Sequence, residues 1–240
     1  MESDDQIDEI NPYKPPCSEV EFVKTVPTRS WHIDLSAENP FLTIWTRPRA
    51  TIRGIVDTNP FLHVIPLALV RGIVQTIDRA VQQNAGVALS LPTILALAVF
   101  LGPIGGLIGL FVGGWFTRTS GRWLGGTATP EQVRAAIAWS SVPVLATIPI
   151  LMIQIGLFGR EMFTLREPTI WSDPLHGAIL VVSGLLEAVL GIWSFVILLK
   201  CVGEVQGFSA WRALGSFILI GVIIIVPIML LLVLVLLASR

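Results

Sequence analysis

The chain has 240 residues, of which 53% are hydrophobic and 14% are charged, and its mean hydropathy is +0.74. Soluble domains carry about 25% charged residues, so this composition excludes an ordinary soluble domain. It predicts an integral membrane protein with room for about five spans. The formal net charge of -1 hides an acidic beginning, because residues 1–40 contain nine acids and three bases.

Residues 1–39 are expected to form a disordered, acidic cytosolic tail. The segment begins with acids, where a secretory signal would place basic residues before an apolar stretch. Its prolines and its few apolar residues oppose independent folding. The NPYKPP stretch at 11–16 is either a docking peptide, as extended proline-bearing segments can be, or simply part of a solvated tail.

Residues 40–58 are predicted to form an amphipathic juxtamembrane helix at the membrane surface. Arg49 and Arg53 lie one helical turn apart, opposite Ile52 and Ile55. The residues expected to contact anionic lipid or a partner are Trp45, Arg47, Arg49 and Arg53. Near an anionic surface each of these charges is worth about 1 kcal/mol. Alternatively, the arginines act only as a topology signal.

Residues 59–240 are predicted to form an all-α, polytopic helix bundle. The spans are expected at about 61–77, 91–116, 133–158, 176–200 and 213–238. Asn59, Thr129 and Asp173 each precede a proline, which is the pattern of a capping residue followed by the first helical position. Pro143, with Pro149 as a further candidate, is expected to bend the third span. The first span is the least apolar. If it lay on the surface instead, the topology would invert from that point onward.

Glycines crowd one side of the second span. At about 100° per residue, the following fall within an arc of roughly 100°: Gly102, Gly105, Gly106, Gly109 and Gly113. Spacing of this kind allows close helix packing in a bilayer. The alternative is a narrow path or a hinge assisted by Pro103. Homo-oligomers are permitted as readily as packing within one chain.

Four intramembrane polar residues are candidates for function: Arg71, Ser140, Gln154 and Glu187. An ionisable group at mid-membrane is a functional hypothesis by default. Glu187 holds that position, and Arg71 is its plausible basic partner at similar depth. The two interpretations are a structural polar contact between helices and the handling of protons or a solute.

The distribution of basic residues predicts the orientation. Near the spans, eight Lys and Arg lie on the amino-terminal side and four on the other. This bias places the amino terminus in the cytoplasm and the carboxyl terminus outside.

The sequence lacks the motifs of the common enzyme classes. It contains no GxSxG, HExxH or Walker loop, and Ser140 and Ser141 have no evident base. Two cysteines without zinc-type spacing predict no metal site, and no aromatic and basic surface suggests nucleic-acid binding. The expectation is a protein without catalysis or cofactor.

Three stretches resemble the Yip-domain family, whose members span the membrane five times. They are IWTRPRATIRGIVDTNP at 44–60, EQVRAAIAWSSVP at 131–143 and GEVQGFSAWRAL at 203–214. The resemblance implies a cytosolic amino terminus and, in eukaryotic members, vesicle trafficking and binding of Ypt/Rab GTPases. The resemblance is particularly to the bacterial branch of the family, and it implies a bacterial inner membrane as the location. The eukaryotic role needs partners that a bacterium lacks. The resemblance supplies no catalytic residue.

Two hypotheses follow for function. In the first, the protein organises or binds a membrane or cytosolic protein, or anionic lipid, at the cytoplasmic face. In the second, it is a small proton-coupled transporter that uses Glu187.

Overall fold

The computed structural model describes residues 38–164 and 173–238. The predicted tail, apart from its last two residues, therefore lies outside the described residues. The described part is helical and contains no strand, which confirms the predicted fold class. The helices are α1 (Pro40–Thr46), α2 (Pro48–Thr58), α3 (Val64–Gln82), α4 (Leu91–Trp123), α5 (Pro130–Ser140), α6 (Val142–Leu145), α7 (Ile148–Phe158), α8 (Pro174–Gln206) and α9 (Ala210–Ala238), with short 3-10 turns at Ala85–Val87 and Gly159–Thr164.

Within the described ranges, three helices are long and apolar enough to cross a membrane: α4, α8 and most of α9. A fourth crossing is available if Pro130–Leu145 and Ile148–Thr164, which meet at an angle of 44°, act as one broken span. Helix α3 has 19 residues, but it is not in this set, because it contains three charged residues, Arg71, Asp78 and Arg79. The predicted span at 61–77 therefore remains a prediction.

Two of the three predicted helix starts are confirmed. Thr129 and Gln132 form a reciprocal capping box at the start of α5, and the Asp173 side chain accepts a hydrogen bond from the Leu175 amide at 2.9 Å. At Asn59 the capping contact forms, since its Oδ1 accepts from the Phe61 amide at 3.0 Å, but only a turn follows and α3 begins at Val64. Asn59 also ends α2, and the chain turns through His63, whose φ is 52°.

The predicted third span is interrupted. Its first helix, α5, ends at Ser140. A short break precedes α6 and another precedes α7, and each of these two helices has a proline in its first turn. Proline has no amide hydrogen and clashes with the preceding turn. The bend expected from Pro143 and Pro149 is thus confirmed.

The juxtamembrane segment forms two helices rather than one, with the break at Arg47 before Pro48. The apolar face of α2 is covered by protein, since Ile52 and Ile55 are fully buried in a cluster that includes Ile197 of α8. Arg53 forms an ion pair with Glu204 near the end of α8. Helix α2 is therefore docked on the bundle.

Trp139 of α5 holds the cluster beneath α2 together. It is fully buried, and its indole Nε1 donates to the Leu62 carbonyl oxygen at 2.9 Å. The Phe41 ring lies 4.8 Å from it, centroid to centroid. The outer faces of the long helices are different, since large side chains such as Phe100 on α4 and Ile192 on α8 are exposed. Exposed apolar surface of this extent is what a lipid environment covers.

Candidate functional site

Helices α3 and α4 cross with their backbones in contact. A Cβ atom placed on Gly72 would overlap the Gly102 carbonyl oxygen, and one placed on Gly106 would overlap the Ala68 carbonyl oxygen. Small residues four apart on both helices permit this approach. Two of the five predicted glycines, Gly102 and Gly106, therefore lie at this crossing. Sequence analysis missed Gly72, although Ala68 and Gly72 have the same spacing of four.

The other three predicted glycines lie elsewhere on α4. A Cβ atom on Gly105, Gly109 or Gly113 would meet no atom within 4 Å. Gly109 and Gly113 instead border a cavity of about 260 Å³. Within one chain, the glycine side of α4 therefore divides into a tight contact and an open space.

This space, the Arg71 cavity, is bordered by five helices. Its polar lining is Arg71 and Gln75 of α3 and Thr117 of α4, and its apolar lining includes Leu198 of α8 and Phe217 of α9. Arg71 is half-buried. Among the described residues it forms no ion pair and no side-chain hydrogen bond.

A second cavity of about 480 Å³, the Glu187 cavity, carries the opposite charge. Asp78 of α3 and Glu187 of α8 line it together with Thr147 and Gln154. The Gln154 amide nitrogen donates to Glu187 Oε1 at 3.1 Å and to Ser183 Oγ at 2.7 Å. Gln154 Oε1 is buried with no hydrogen-bond partner. This arrangement brings two of the predicted polar residues, Gln154 and Glu187, into direct contact.

The expected pairing of Arg71 with Glu187 is not formed. The two residues line different cavities, and the charged neighbour that acts on Glu187 is Asp78. Seven residues correspond to about 10.5 Å along a helix, so Arg71 and Asp78 reach different levels of the bundle. Because α3 begins at Val64 and continues to Gln82, Asp78 lies inside the helix rather than beyond its end.

Ser140 has a structural contact instead of a place in either cavity lining. Its hydroxyl donates to the Ile137 carbonyl oxygen at 2.7 Å, and its own carbonyl oxygen accepts from Ser194 Oγ at 2.5 Å. The residue is almost completely buried. Ser140 thus joins the end of α5 to α8.

The surface predicted for lipid or partner contact lies on α1 and α2. Trp45 is half-buried, while Arg47, Arg49 and Arg53 are exposed. We call these four residues the α2 basic surface. Because Arg53 is paired with Glu204, the surface is held at a fixed place beside the end of α8.

Gln206 secures the same end of the bundle and was missed by sequence analysis. It is buried, its Oε1 accepts from the Ala128 amide at 3.4 Å, and its Nε2 donates to the Thr117 carbonyl oxygen at 3.4 Å. A Cβ atom on Gly121 or Gly126 would overlap the Gln206 side chain. Gly121 in the last turn of α4 and Gly126 just after it, both visible in the sequence, were the available signal.

In the part of the chain that the structure describes, no group of three or more His, Cys, Asp or Glu residues is placed to hold a metal ion. Among known protein families, the model of the Yip1 domain matches residues 42–235 of the chain. No curated protein and no solved structure matches the chain. The matched range contains both cavities and all four residues of the α2 basic surface, and the match confirms the resemblance found in the sequence.

Proposed function

We propose, from the premise that this chain belongs to the Yip1 domain family of integral membrane proteins, that it organises or binds partners at the cytoplasmic face of a bacterial inner membrane. In this proposal the protein is not an enzyme. Its amino terminus is cytoplasmic, its carboxyl terminus lies outside, and α3 supplies a further crossing.

The docked position of α2 is the observation that carries the proposal. Ile52 and Ile55 are buried and Arg53 is paired with Glu204, so the helix is not free to move over the membrane surface. Arg47 and Arg49 remain exposed on it. A rigid surface loses less conformational entropy on binding than a flexible one. This basic surface suits an acidic protein segment or anionic headgroups.

The test is a double substitution, Arg47→Gln with Arg49→Gln, in protein carrying a photo-crosslinker at Trp45. Arg212→Gln is the matched control, because Arg212 is also exposed but lies on α9. We expect the double variant to lose crosslinks to protein and to retain less phosphatidylglycerol in mixed nanodiscs, while the control keeps both. Unchanged crosslinking and unchanged lipid retention in the double variant would remove the proposal.

The Glu187 cavity favours a second candidate, a small proton-coupled transporter. Two carboxylates and a buried amide face a space of about 480 Å³, and one amide oxygen in it has no partner. A carboxyl group that changes protonation there would alternate between accepting from Gln154 and donating to it. Such alternation is the elementary step of proton coupling.

Proteoliposomes that contain wild type, Glu187→Gln or Glu161→Gln separate this candidate from the first. Glu161 is an exposed acid that does not line the cavity. A transporter would show proton uptake that only Glu187→Gln abolishes. Equal signals from wild type and Glu187→Gln, with both folded, would exclude a role for Glu187 in proton coupling.

A further inference from the structure

The Arg71 cavity carries a positive charge without a compensating group. Arginine stays protonated in proteins, and a charge withdrawn from water is unfavourable unless another charge or hydrogen bonds compensate it. Arg71 is half-buried, and no carboxylate among the described residues lines the cavity around it. An anion that enters the cavity would supply the missing counter-charge.

The shape of the cavity comes from missing side chains. Gly109 and Gly113 border it, and a Cβ atom on either would meet nothing within 4 Å. At Gly106, one turn away, the same helix is in backbone contact with α3. The tight crossing of α3 and α4 therefore bounds the cavity at one end. At about 260 Å³, the cavity is much larger than the space left by one missing methyl group.

The lining favours a small anion over a cation or an extended ligand. The guanidinium of Arg71 and the amide of Gln75 both supply N–H donors, and Thr117 adds a polar contact. Aliphatic and aromatic side chains from α5, α8 and α9 form the rest of the lining. At about 260 Å³, the space admits a compact ion with part of its water but no folded segment of protein.

We propose that the Arg71 cavity binds a monovalent anion of the halide class, held by Arg71 and Gln75. One bound anion neutralises the one charge of the lining. The site is independent of the α2 basic surface and of the Glu187 cavity, because it shares no lining residue with either. It therefore stands whichever of the two functions applies.

The experiment measures chloride binding by chlorine NMR line broadening on full-length protein in phosphatidylcholine nanodiscs, where no anionic lipid is present. Two variants remove the site in different ways: Arg71→Gln removes the charge, and Gly109→Leu fills the space. Each variant has a matched control outside the cavity lining. Arg122 is an exposed arginine near the end of α4, and Gly105 is a glycine of α4 whose Cβ position has no neighbour within 4 Å. The controls are Arg122→Gln and Gly105→Leu.

We expect protein-dependent broadening in wild type that bromide displaces. Arg71→Gln and Gly109→Leu should reduce it to the level of empty nanodiscs, whereas Arg122→Gln and Gly105→Leu should retain it. Absence of broadening in wild type, or its persistence in Arg71→Gln or Gly109→Leu, would overturn the proposal. Melting curves identify misfolded variants, and if Arg71→Gln fails to fold, the comparison of Gly109→Leu with Gly105→Leu decides alone.

Discussion

The Arg71 cavity and the Glu187 cavity differ in whether Arg71 and Glu187 have a hydrogen-bond partner, although α3 contributes to both. In the Glu187 cavity, Gln154 connects α7 to α8 through Glu187 and Ser183. In the Arg71 cavity the guanidinium has no partner among the described residues. A polar residue that is hydrogen-bonded across a helix interface contributes to the fold, whereas an unpaired one marks a place where a ligand can bind.

The difference between the two cavities depends first on the crossing of α3 and α4, because this crossing positions both Arg71 and Asp78. Gly106→Leu should disrupt this crossing, because even a Cβ atom would overlap the Ala68 carbonyl oxygen. The expected loss in the free energy of unfolding is about 3 kcal/mol or more, the upper range for overpacking. Denaturant unfolding in detergent measures it. Gly105→Leu is the control, and equal losses for both variants would contradict the crossing.

The next test compares the two glutamines of the cavities. Gln154→Leu leaves Ser183 and Glu187 without their amide donor, so we expect destabilisation of about 1–3 kcal/mol. Gln75→Leu should cost much less, since Gln75 forms no hydrogen bond to a described residue. Both values come from the same unfolding measurement. A larger loss of stability for Gln75→Leu than for Gln154→Leu would contradict the conclusion that Gln154 stabilises the fold and Gln75 does not.

The smallest expected effect concerns the ion pair outside both cavities. The side chain of Arg53 is 52% exposed and that of Glu204 is 15% exposed, so screening limits their interaction to about 0.2–1 kcal/mol. A double-mutant cycle with Arg53→Gln and Glu204→Gln measures the coupling directly. We expect a value well below the effect of Gln154→Leu. Zero coupling would show that burial of Ile52 and Ile55 alone holds α2 in place.

Local signals in the sequence were sufficient for several features of the fold. The caps at Thr129 and Asp173 and the break near Pro143 depend on residues within one or two turns, and these were predicted. Asn59 carries the same local signal and caps the Phe61 amide, but it also ends α2, and a turn separates it from α3. A cap residue between two helices fits either role, and the sequence does not state which helix it serves.

The candidate sites depended on helix neighbours, which periodicity does not supply. The five glycines share one side of α4, yet only Gly102 and Gly106 meet another helix. Similarly, Glu187 was matched with Arg71 because both were placed at similar depth, and the true length of α3 brings Asp78 to that level instead. Which charge faces which helix is a property of the assembled bundle.

The contact between Arg53 and Glu204 joins positions 151 residues apart, which has a consequence for biogenesis. At about 5–20 residues per second, roughly 8–30 seconds of synthesis separate the two residues. During that interval α8 is not yet present to cover Ile52 and Ile55. The boundary between headgroups and acyl chains is the nearest place where these two side chains can leave water. We therefore expect α2 to lie at the membrane interface while the chain is being made and to become an internal contact only after the end of α8 is in place.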